Sequence, residues 1–535
     1  MKNIKFKFIA SALASVLLVG CNDMDTEPMG STITSEQKSE TVASNPERIE
    51  ATVSAVPAMA NQFGNAIGTG YHNDFGYAAI MLWTDTRGMD FVSTSIGYNW
   101  FASAVTYSDI SPTGVGTNLF WRTIYKQLYA ANSLAKIVDP ATEDNSLKFY
   151  LAQALATRAF DYFTLAQLYQ HTYVGNESKP CVPLITDLNA DEVASNGCPR
   201  ATVEEVYAQI MTDLNTAIIL LESSTKERDD KRYINAAVAY GLRARVNLVM
   251  NNWADAASDA QKAISLHDGQ PYSIAEVSVP TFGDIEAPSW MWGVLIAETD
   301  DVVETGICNF PSHMGSLNYG YASVGAWRTI SKSLYNSIPE TDVRKGWWLN
   351  EKGLSANLNA EQQAYISSAA LDDNKNPLPY IQVKYGCYNN ETYTSVNAND
   401  IPLMRVEEMY LILAEAQAMS GNASAGAATL QNFVSTYRDP AYVCLASSPE
   451  GVQEAVWQQR RIELWGEGFS YADIMRLKKP IDRRGAGFEA AFVYNIPAGD
   501  PVLVYPIPNS EIEANPMLSH DTNPTLTAPS PVADN

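Results

Sequence analysis

The first residue whose surroundings imply chemistry is Cys21. It follows a 13-residue run, 8–20, that is apolar apart from two serines, and three lysines lie before that run. A helix that spans a bilayer needs about 20 apolar residues, so the run predicts a signal peptide over residues 1–20 and not a membrane span. Its ending, Leu18-Val19-Gly20-Cys21, resembles a lipobox, in which the cysteine sulfur is acylated. We therefore predict lipidation at Cys21; the alternative is an ordinary secreted protein with an incidental cysteine.

The other cysteines and the histidines show no spacing typical of a metal site. Cys181 and Cys198 bracket a 16-residue loop and could form a disulfide, or all five remaining cysteines could be buried thiols. The sequence has no HExxH, GxSxG or P-loop motif, and no carboxylate pair stands out among its 60 acids. The residues alone therefore single out no catalytic centre; we predict no cofactor and leave a structural calcium ion open.

Aromatic residues on loops give the clearest binding signal. The segments GYNWF (97–101) and NYGYASVGAW (318–327) combine rings with glycine, asparagine and serine. The C–H face of a sugar stacks on Trp or Tyr, while its hydroxyls bond to Asn, Asp or Arg. The segments therefore predict sugar contacts; the alternative is that these rings are core aromatics that anchor long loops.

The charge of the chain excludes two classes of partner. Without the three lysines of the predicted signal peptide, 33 basic and 60 acidic side chains remain, a net charge of −27. Such a chain is repelled by nucleic acid and by anionic lipid, so we predict neither as a partner. Membrane attachment would then come from covalent lipid.

The elements that would position the loops are amphipathic helices. Apolar residues recur at the helical period over 118–138, 146–170, 203–222, 235–250, 253–266, 403–419, 423–437 and 450–465. Thr202 and Glu205 resemble a capping box, and Arg158 occupies an apolar position of its helix, which predicts a buried, paired arginine. The helix at 253–266, a tryptophan followed by alanines at close-packing spacings, is similar to the second helix of a tetratricopeptide unit.

These patterns predict a mainly α fold, a scaffold of tetratricopeptide-like helical hairpins with an irregular, loop-rich ligand-binding half. We assign 21–45 to a lipidated flexible tether and 46–535 to one domain. Its scaffold lies mainly at 118–270 and 400–470, and its ligand side mainly at 64–117 and 271–399. The ligand side also contains strand-like runs at 291–297 and 380–384.

Seven segments, in order and nearly end to end, resemble the SusD-like (RagB) lipoproteins of glycan-utilisation systems. They are LFWRTIYKQLYAANSL, LATRAFDYFTLAQLYQ, AAVAYGLRARVNLVMNNWADAASDAQKAI, ISKSLYNSIPETDVRKGWW, IPLMRVEEMYLILAEAQA, VWQQRRIELWGEGFSYADIMRLKKP and YPIPNSEIEANPML. Around Glu467 the chain reads GEGFSYADIMRLK, where the family more often has an arginine and a second aromatic residue.

The resemblance implies four tetratricopeptide-like helix pairs and a lipid-anchored protein on the outer-membrane surface, with Asp23 and Asp25 similar to the family's acidic export signal. It also implies a SusC-like TonB-dependent β-barrel transporter as partner, to which the protein delivers captured oligosaccharide without cleaving it. The alternatives are a peptide-binding surface lipoprotein of a RagB-type uptake complex and, less favoured, a surface glycosidase.

The resemblance further implies positions for the site. The glycan-stacking aromatic of the family lies in the loop of Trp100, and Arg461 and Glu463 of the C-terminal signature look structural. The ligand-binding residues that it implies are Trp100, Asn99, Asp74, Tyr319, Tyr321, Trp327 and Arg87.

Overall fold

Eight long helices form the scaffold in the part of the chain that this computed structural model describes, residues 41–95 and 97–534. They are α1 (Val115–Ile137), α2 (Asn145–Tyr169), α3 (Val203–Ser223), α4 (Ala236–Val249), α5 (Trp253–Leu266), α6 (Val406–Met419), α7 (Ala423–Tyr437) and α8 (Pro449–Glu463). All eight were expected, with ends within three residues of those found, so the mainly helical fold is confirmed. The predicted signal peptide, Cys21 and most of the tether lie outside the described residues.

The scaffold helices pack in chain order. Each contacts the next, from α1 to α8, and α6 also contacts α8. This is the arrangement of stacked helical hairpins, in which each hairpin covers the apolar face of its neighbour. Thr202 begins α3 with the expected capping box, its hydroxyl accepting from the Glu205 N–H at 3.2 Å.

Arg158 of α2 is buried and paired, as its position in an apolar stripe predicts. Its guanidinium donates two hydrogen bonds to the Asp213 carboxylate, at 2.7 and 2.8 Å, and one to Asp187 at 2.5 Å. The bidentate pair links α2 to α3 and satisfies a charge that would otherwise be costly to bury.

Shorter elements occupy the rest of the described chain. The short α-helices are Glu50–Ala58, Tyr77–Arg87, Ala102–Thr106, Ala190–Asn196, Ile274–Val277, Asp301–Glu304, Phe310–Met314, Lys332–Ser337, Ala360–Ala369, Ser470–Arg476 and Asn509–Ala514. The strands are β1 (Phe91–Val92), β2 (Pro180–Pro183), β3 (Arg200–Thr202), β4 (Trp290–Val294), β5 (Thr329–Ile330), β6 (Ile401–Arg405), β7 (Ile481–Asp482) and β8 (Asn495–Ile496).

The strands pair two by two, antiparallel: β1 with β5, β2 with β3, β4 with β6 and β7 with β8. The strand-like run at 291–297 is found as β4. The run at 380–384 forms only isolated bridges, and Tyr380 has a φ of 64°, a left-handed conformation that interrupts an extended strand.

A buried network of charges joins the scaffold to the loop-rich half. Glu463, the last residue of α8, accepts hydrogen bonds from Arg438 at 2.7 Å, Arg405 at 3.1 Å and Arg344 at 3.2 Å. Burial alone would raise the pKa of Glu463, but these arginines lower it well below its usual value. The full network is Arg344, Lys384, Arg405, Arg438, Asp342, Glu407, Glu463 and Glu467, which balances four cations with four anions.

Cys181 and Cys198, at the two ends of the 16-residue loop, are both buried free thiols and do not form a disulfide. Burial raises the pKa of the Cys181 thiol to about 12, which keeps it protonated and unreactive. Within 41–95 and 97–534, no helix combines the length and apolar character needed to cross a bilayer.

Candidate ligand-binding site

Three loops meet at one place on the loop-rich half. The Asn73 side-chain amide donates to the Trp100 carbonyl at 2.9 Å, joining loop 71–74 to loop 97–101. His313 Nε2 lies 2.9 Å from the His72 carbonyl and joins the same loop to the segment that begins at Phe310–Met314. The two aromatic segments singled out in the sequence therefore become neighbours through the loop around His72.

Four side chains of these loops form a cluster that we call the aromatic shelf: His72, Tyr98, Trp100 and Tyr321. The His72 ring stacks on Trp100 with centroids 4.5 Å apart and planes at 18°. Tyr321 lies edge-on to Trp100 at 6.4 Å, and its hydroxyl is hydrogen-bonded to His72 Nδ1. Tyr98 lies 6.1 Å from Tyr321 and is the most open of the four, with 58% of its surface exposed.

The shelf rests on a buried stack of rings. His313 stacks on Tyr321 at 4.7 Å, and Phe75 stacks on His313 at 5.4 Å. Burial, and then the neighbouring Arg328 cation, lower the pKa of His313 well below its usual value, so its imidazole is neutral. The stack fixes the position and orientation of the Tyr321 ring, because the His313 and Phe75 rings beneath it are buried in the core.

Asp74 and Asn99, two of the predicted ligand residues, are buried and form hydrogen bonds within the protein. Asp74 is buried, and its carboxylate accepts from the backbone N–H groups of Ala66, Ile67 and Gly68 at 2.6–3.1 Å. Burial raises the Asp74 pKa, and these three N–H groups act against the rise. We conclude that Asp74 shapes the loop beside the shelf and does not project from it.

Asn99 is likewise turned inward. Its amide nitrogen donates to the Thr94 carbonyl at 2.5 Å, and its oxygen accepts from Phe101 N–H at 3.1 Å and from Arg328 at 3.0 Å. The hydrogen bond that the Phe101 N–H donates to the Asn99 side-chain oxygen closes an Asx turn, a local conformation that asparagine favours. It directs the neighbouring Trp100 ring toward His72.

Arg87 lies apart from the shelf and is fully buried. Its guanidinium donates to Asp109 and to the Val502 carbonyl, both at 2.5 Å, and it lies 4.3 Å above the Tyr107 ring. These partners explain why an arginine is buried at the end of Tyr77–Arg87, and they leave it no path to a ligand on the shelf.

Tyr319 and Trp327, the remaining predicted residues, lie on either side of Tyr321 in sequence but do not join its stack. Tyr319 is 41% exposed and lies edge-on to Tyr393 at 5.3 Å, with Tyr365 on the far side of Tyr393 at 5.2 Å. Trp327 is half-buried against an apolar cluster that includes Leu317. Tyr319 and Tyr393 thus form an exposed pair of rings of their own, whereas Trp327 anchors the loop.

Sequence reasoning missed His72, Tyr98 and Tyr393. Tyr98 lies within GYNWF, and His72 is two residues before Asp74, so the signal for both was adjacent to predicted residues. Tyr393 lies in no aromatic segment and is brought to Tyr319 only by the fold. No group of three His, Cys, Asp or Glu side chains that could hold a metal occurs in the described part of the chain.

Two ranges of the chain match models of known protein families. A family model described as starch-binding and associating with the outer membrane matches residues 49–248, and one described as the SusD family matches residues 329–525. The chain belongs to the SusD family. The two matched ranges include most of the scaffold and the C-terminal signature, and a SusD-family protein is in general a carbohydrate-binding protein and not an enzyme. Comparison with curated protein sequences finds no match.

Solved structures agree on the fold. A SusD-like carbohydrate binding protein from Bacteroides vulgatus is 23% identical, covers 90% of this chain and 98% of its own, and has a TM-score of 0.72. A SusD superfamily protein from Bacteroides thetaiotaomicron is 20% identical, with coverages of 90% and 99% and a TM-score of 0.69. One from Parabacteroides distasonis is 17% identical, with coverages of 91% and 99% and a TM-score of 0.65. These SusD neighbours confirm the fold class.

Proposed function

We propose that this SusD-family protein captures oligosaccharide at the cell surface on the aromatic shelf and delivers it to a SusC-like TonB-dependent β-barrel transporter. Acyl chains on Cys21 would anchor it in the outer membrane, and residues 21–45 would let the domain reach over the barrel. The family description, which joins starch binding to the outer membrane, supports both parts of the proposal.

The observation that carries the binding proposal is the supported ring of Trp100. One face of Trp100 is covered by His72 at 4.5 Å, while Trp100 itself is only half-buried. A ring fixed on one side can stack against the apolar face of a sugar on the other without losing side-chain freedom on binding. Exposed Tyr98 adds a second surface next to it, with a hydroxyl for hydrogen bonds.

The predicted ligand residues take two roles in this proposal. Trp100 and Tyr319 contact the sugar together with Tyr98. Tyr321 is only 7% exposed and its hydroxyl is bonded to His72, so it supports the exposed rings instead of contacting the sugar, which corrects its predicted role. Asn99, Asp74, Trp327 and Arg87 instead hold the loops and the core that present those rings. The rings of Tyr98, Trp100 and Tyr321 carry no charge, and they suit a neutral glycan whose selectivity comes from shape and hydroxyl placement.

A panel of oligosaccharides tested by calorimetry against the purified protein, with the products of a long incubation separated by chromatography, tests the proposal. We expect binding of at least one glycan with no change in its chain length. The Tyr98→Ala variant should weaken that binding severalfold. Tyr129→Ala, which removes an even more exposed ring, 76% against 58%, from the scaffold helix α1, should leave it unchanged.

Three results would contradict the proposal. Shortening of a glycan, abolished by replacing one carboxylate, would make the protein a glycosidase. Tight binding of peptides with no binding across the glycan panel would favour the RagB-type peptide alternative. Equal losses in Tyr98→Ala and Tyr129→Ala would move the site away from the shelf.

A further inference from the structure

A second cavity, separate from the shelf residues, is lined by basic side chains. It has a volume of about 230 Å³ and lies between loop 171–179, the end of helix Ser470–Arg476 and the turn after β8. Its lining includes three lysines, Lys179, Lys478 and Lys479, together with His171, and none of its lining residues is acidic. This is unexpected in a chain with 60 acidic and 36 basic side chains.

Two of these lysines lack a direct counter-charge. In the described chain, neither Lys179 nor Lys478 has a carboxylate within ion-pair distance, whereas Lys479 pairs with Glu454 at 2.6 Å. Two carboxylates lie nearby without forming an ion pair with these lysines: Glu177 accepts from Gly175 N–H at 3.0 Å and Asp500 from Val502 N–H at 2.9 Å. The pKa of Glu177 is lowered first by that N–H group and also by Lys478, so Glu177 offsets part of the positive charge, and Lys179 and Lys478 remain outside any direct ion pair.

The backbone directs one of these lysines toward the loop opposite. Lys478 follows helix Ser470–Arg476 by two residues and has a left-handed φ of 51°, and its N–H donates to the Met475 carbonyl at 3.2 Å. This turn brings the Lys478 ammonium beside Gly175, 3.8 Å from where a Cβ of that residue would lie. The lysine thus crosses from the helix end to loop 171–179 and closes one side of the cavity.

A buried polar group points to a ligand independently of the lysines. Thr172 lines the cavity and is 8% exposed, and its hydroxyl has no hydrogen-bond partner within the described residues. A buried hydroxyl without a partner costs free energy, which a ligand oxygen would recover. Burial, and then Lys179, lower the pKa of His171, which is consistent with positive charge concentrated here.

We propose that this cavity binds a tetrahedral oxyanion, a phosphate or sulfate group, held by Lys179, Lys478 and the Thr172 hydroxyl. Lysine recognises phosphate as a point charge, and a hydroxyl donor adds direction. The group can be carried by a sugar ester or by a lipid headgroup, since both present the same oxyanion. A lipid would be held by this local basic lining, although the net negative charge of the chain as a whole repels an anionic membrane. The site is independent of the sugar-binding shelf.

Calorimetric titration of inorganic phosphate and of sulfate into the purified protein, at constant ionic strength with chloride as the reference anion, tests this site. We expect saturable binding that the Lys179→Gln/Lys478→Gln double variant weakens about tenfold or more, and that Thr172→Val also weakens. Lys375→Gln is the matched control, because Lys375 is likewise exposed with a left-handed φ, 63°. Its affinity should equal that of the unaltered protein.

Absence of saturable binding, or equal binding by the double variant and the control, would overturn the proposal. The carrier is decided by two further pairs: glucose 6-phosphate against glucose, and short-chain phosphatidic acid against phosphatidylcholine of the same chain length. The phosphate ester whose binding depends on Lys179 and Lys478 identifies the carrier. Inorganic phosphate binding alone would identify a site for the free anion.

Discussion

His72 and Trp100 form a stacked pair with ring centroids 4.5 Å apart and ring planes at 18°. They come from different loops, and the pair is tied further by the hydrogen bond between His72 and Tyr321. His72 therefore sets the orientation of the ring that we propose to contact sugar. Its own role would be to position Trp100.

Replacing His72 tests whether it supports the Trp100 ring that we propose to contact the sugar. The His72→Ala variant should weaken oligosaccharide binding by about 0.5–1.5 kcal/mol, because Trp100 loses the ring that fixes it. His72→Phe restores a ring and should recover part of the loss. Calorimetry measures both; equal affinities for all three proteins would show that Trp100 needs no support.

Arg87 should matter for stability and not for binding. Arg87→Lys keeps the charge but loses the forked geometry that reaches both Asp109 and the Val502 carbonyl, so we expect a loss of about 1–3 kcal/mol in unfolding free energy. Urea unfolding measures the loss, and affinity for oligosaccharide should not change. A variant with normal stability and weakened binding would return Arg87 to the site.

Glu463 should contribute strongly to the free energy of unfolding, because its network joins the scaffold to the loop-rich half. Glu463→Gln leaves Arg344, Arg405 and Arg438 with one negative charge fewer inside the protein, and breaking a buried ion pair costs about 3–5 kcal/mol. The control is Glu340→Gln, which removes an exposed partner of Lys345 and should cost less than about 1 kcal/mol. Similar losses in urea unfolding would contradict a structural role for the network.

His313 should make the fold sensitive to acid. Its pKa is lowered in the folded protein by burial and by Arg328, so the unfolded chain takes up a proton that the folded chain refuses. The stability that results is present above the ordinary histidine pKa of 6.5 and is lost as the pH falls below it. The His313 contribution approaches about 1.4 kcal/mol per pH unit.

The His313→Gln variant, which cannot take up that proton, provides the comparison. Its unfolding free energy should fall less steeply between pH 7 and pH 5 than that of the unaltered protein. Parallel curves would mean that His313 is not the group responsible.

Replacing Cys21 tests whether a lipid on this residue attaches the protein to the membrane. Cys21→Ser should move the protein from the membrane pellet to the supernatant, because the predicted acylation site is gone. Cys444→Ser, which alters a half-buried free thiol, should leave it in the pellet. Retention of Cys21→Ser in the membrane pellet would refute lipid attachment at that residue.

The helices follow closely from the sequence, and the site follows only in part. Helix α5 begins and ends where its apolar period and its Trp253 indicate, because those signals are local. Trp100 and Tyr321 could be singled out as aromatic residues on glycine-rich loops, but their contact with His72 depends on the meeting of three loops.

The inward-turned residues could not have been recognised. Asn99 bonds to Arg328, 229 positions along the chain, and Arg87 bonds to the Val502 carbonyl, 415 positions along. A polar residue next to an exposed ring has the same local sequence whether it faces ligand or core. Long-range packing decides whether such a residue faces the ligand or the core, and the local sequence pattern does not indicate which.

The most direct test of sugar binding on the shelf is calorimetric titration of Trp100→Ala with an oligosaccharide that the unaltered protein binds. We expect a loss of at least about 1 kcal/mol in binding free energy with urea unfolding little changed, because Trp100 is half-buried and lies at the surface. Unchanged affinity in a correctly folded Trp100→Ala protein would contradict sugar binding on the shelf.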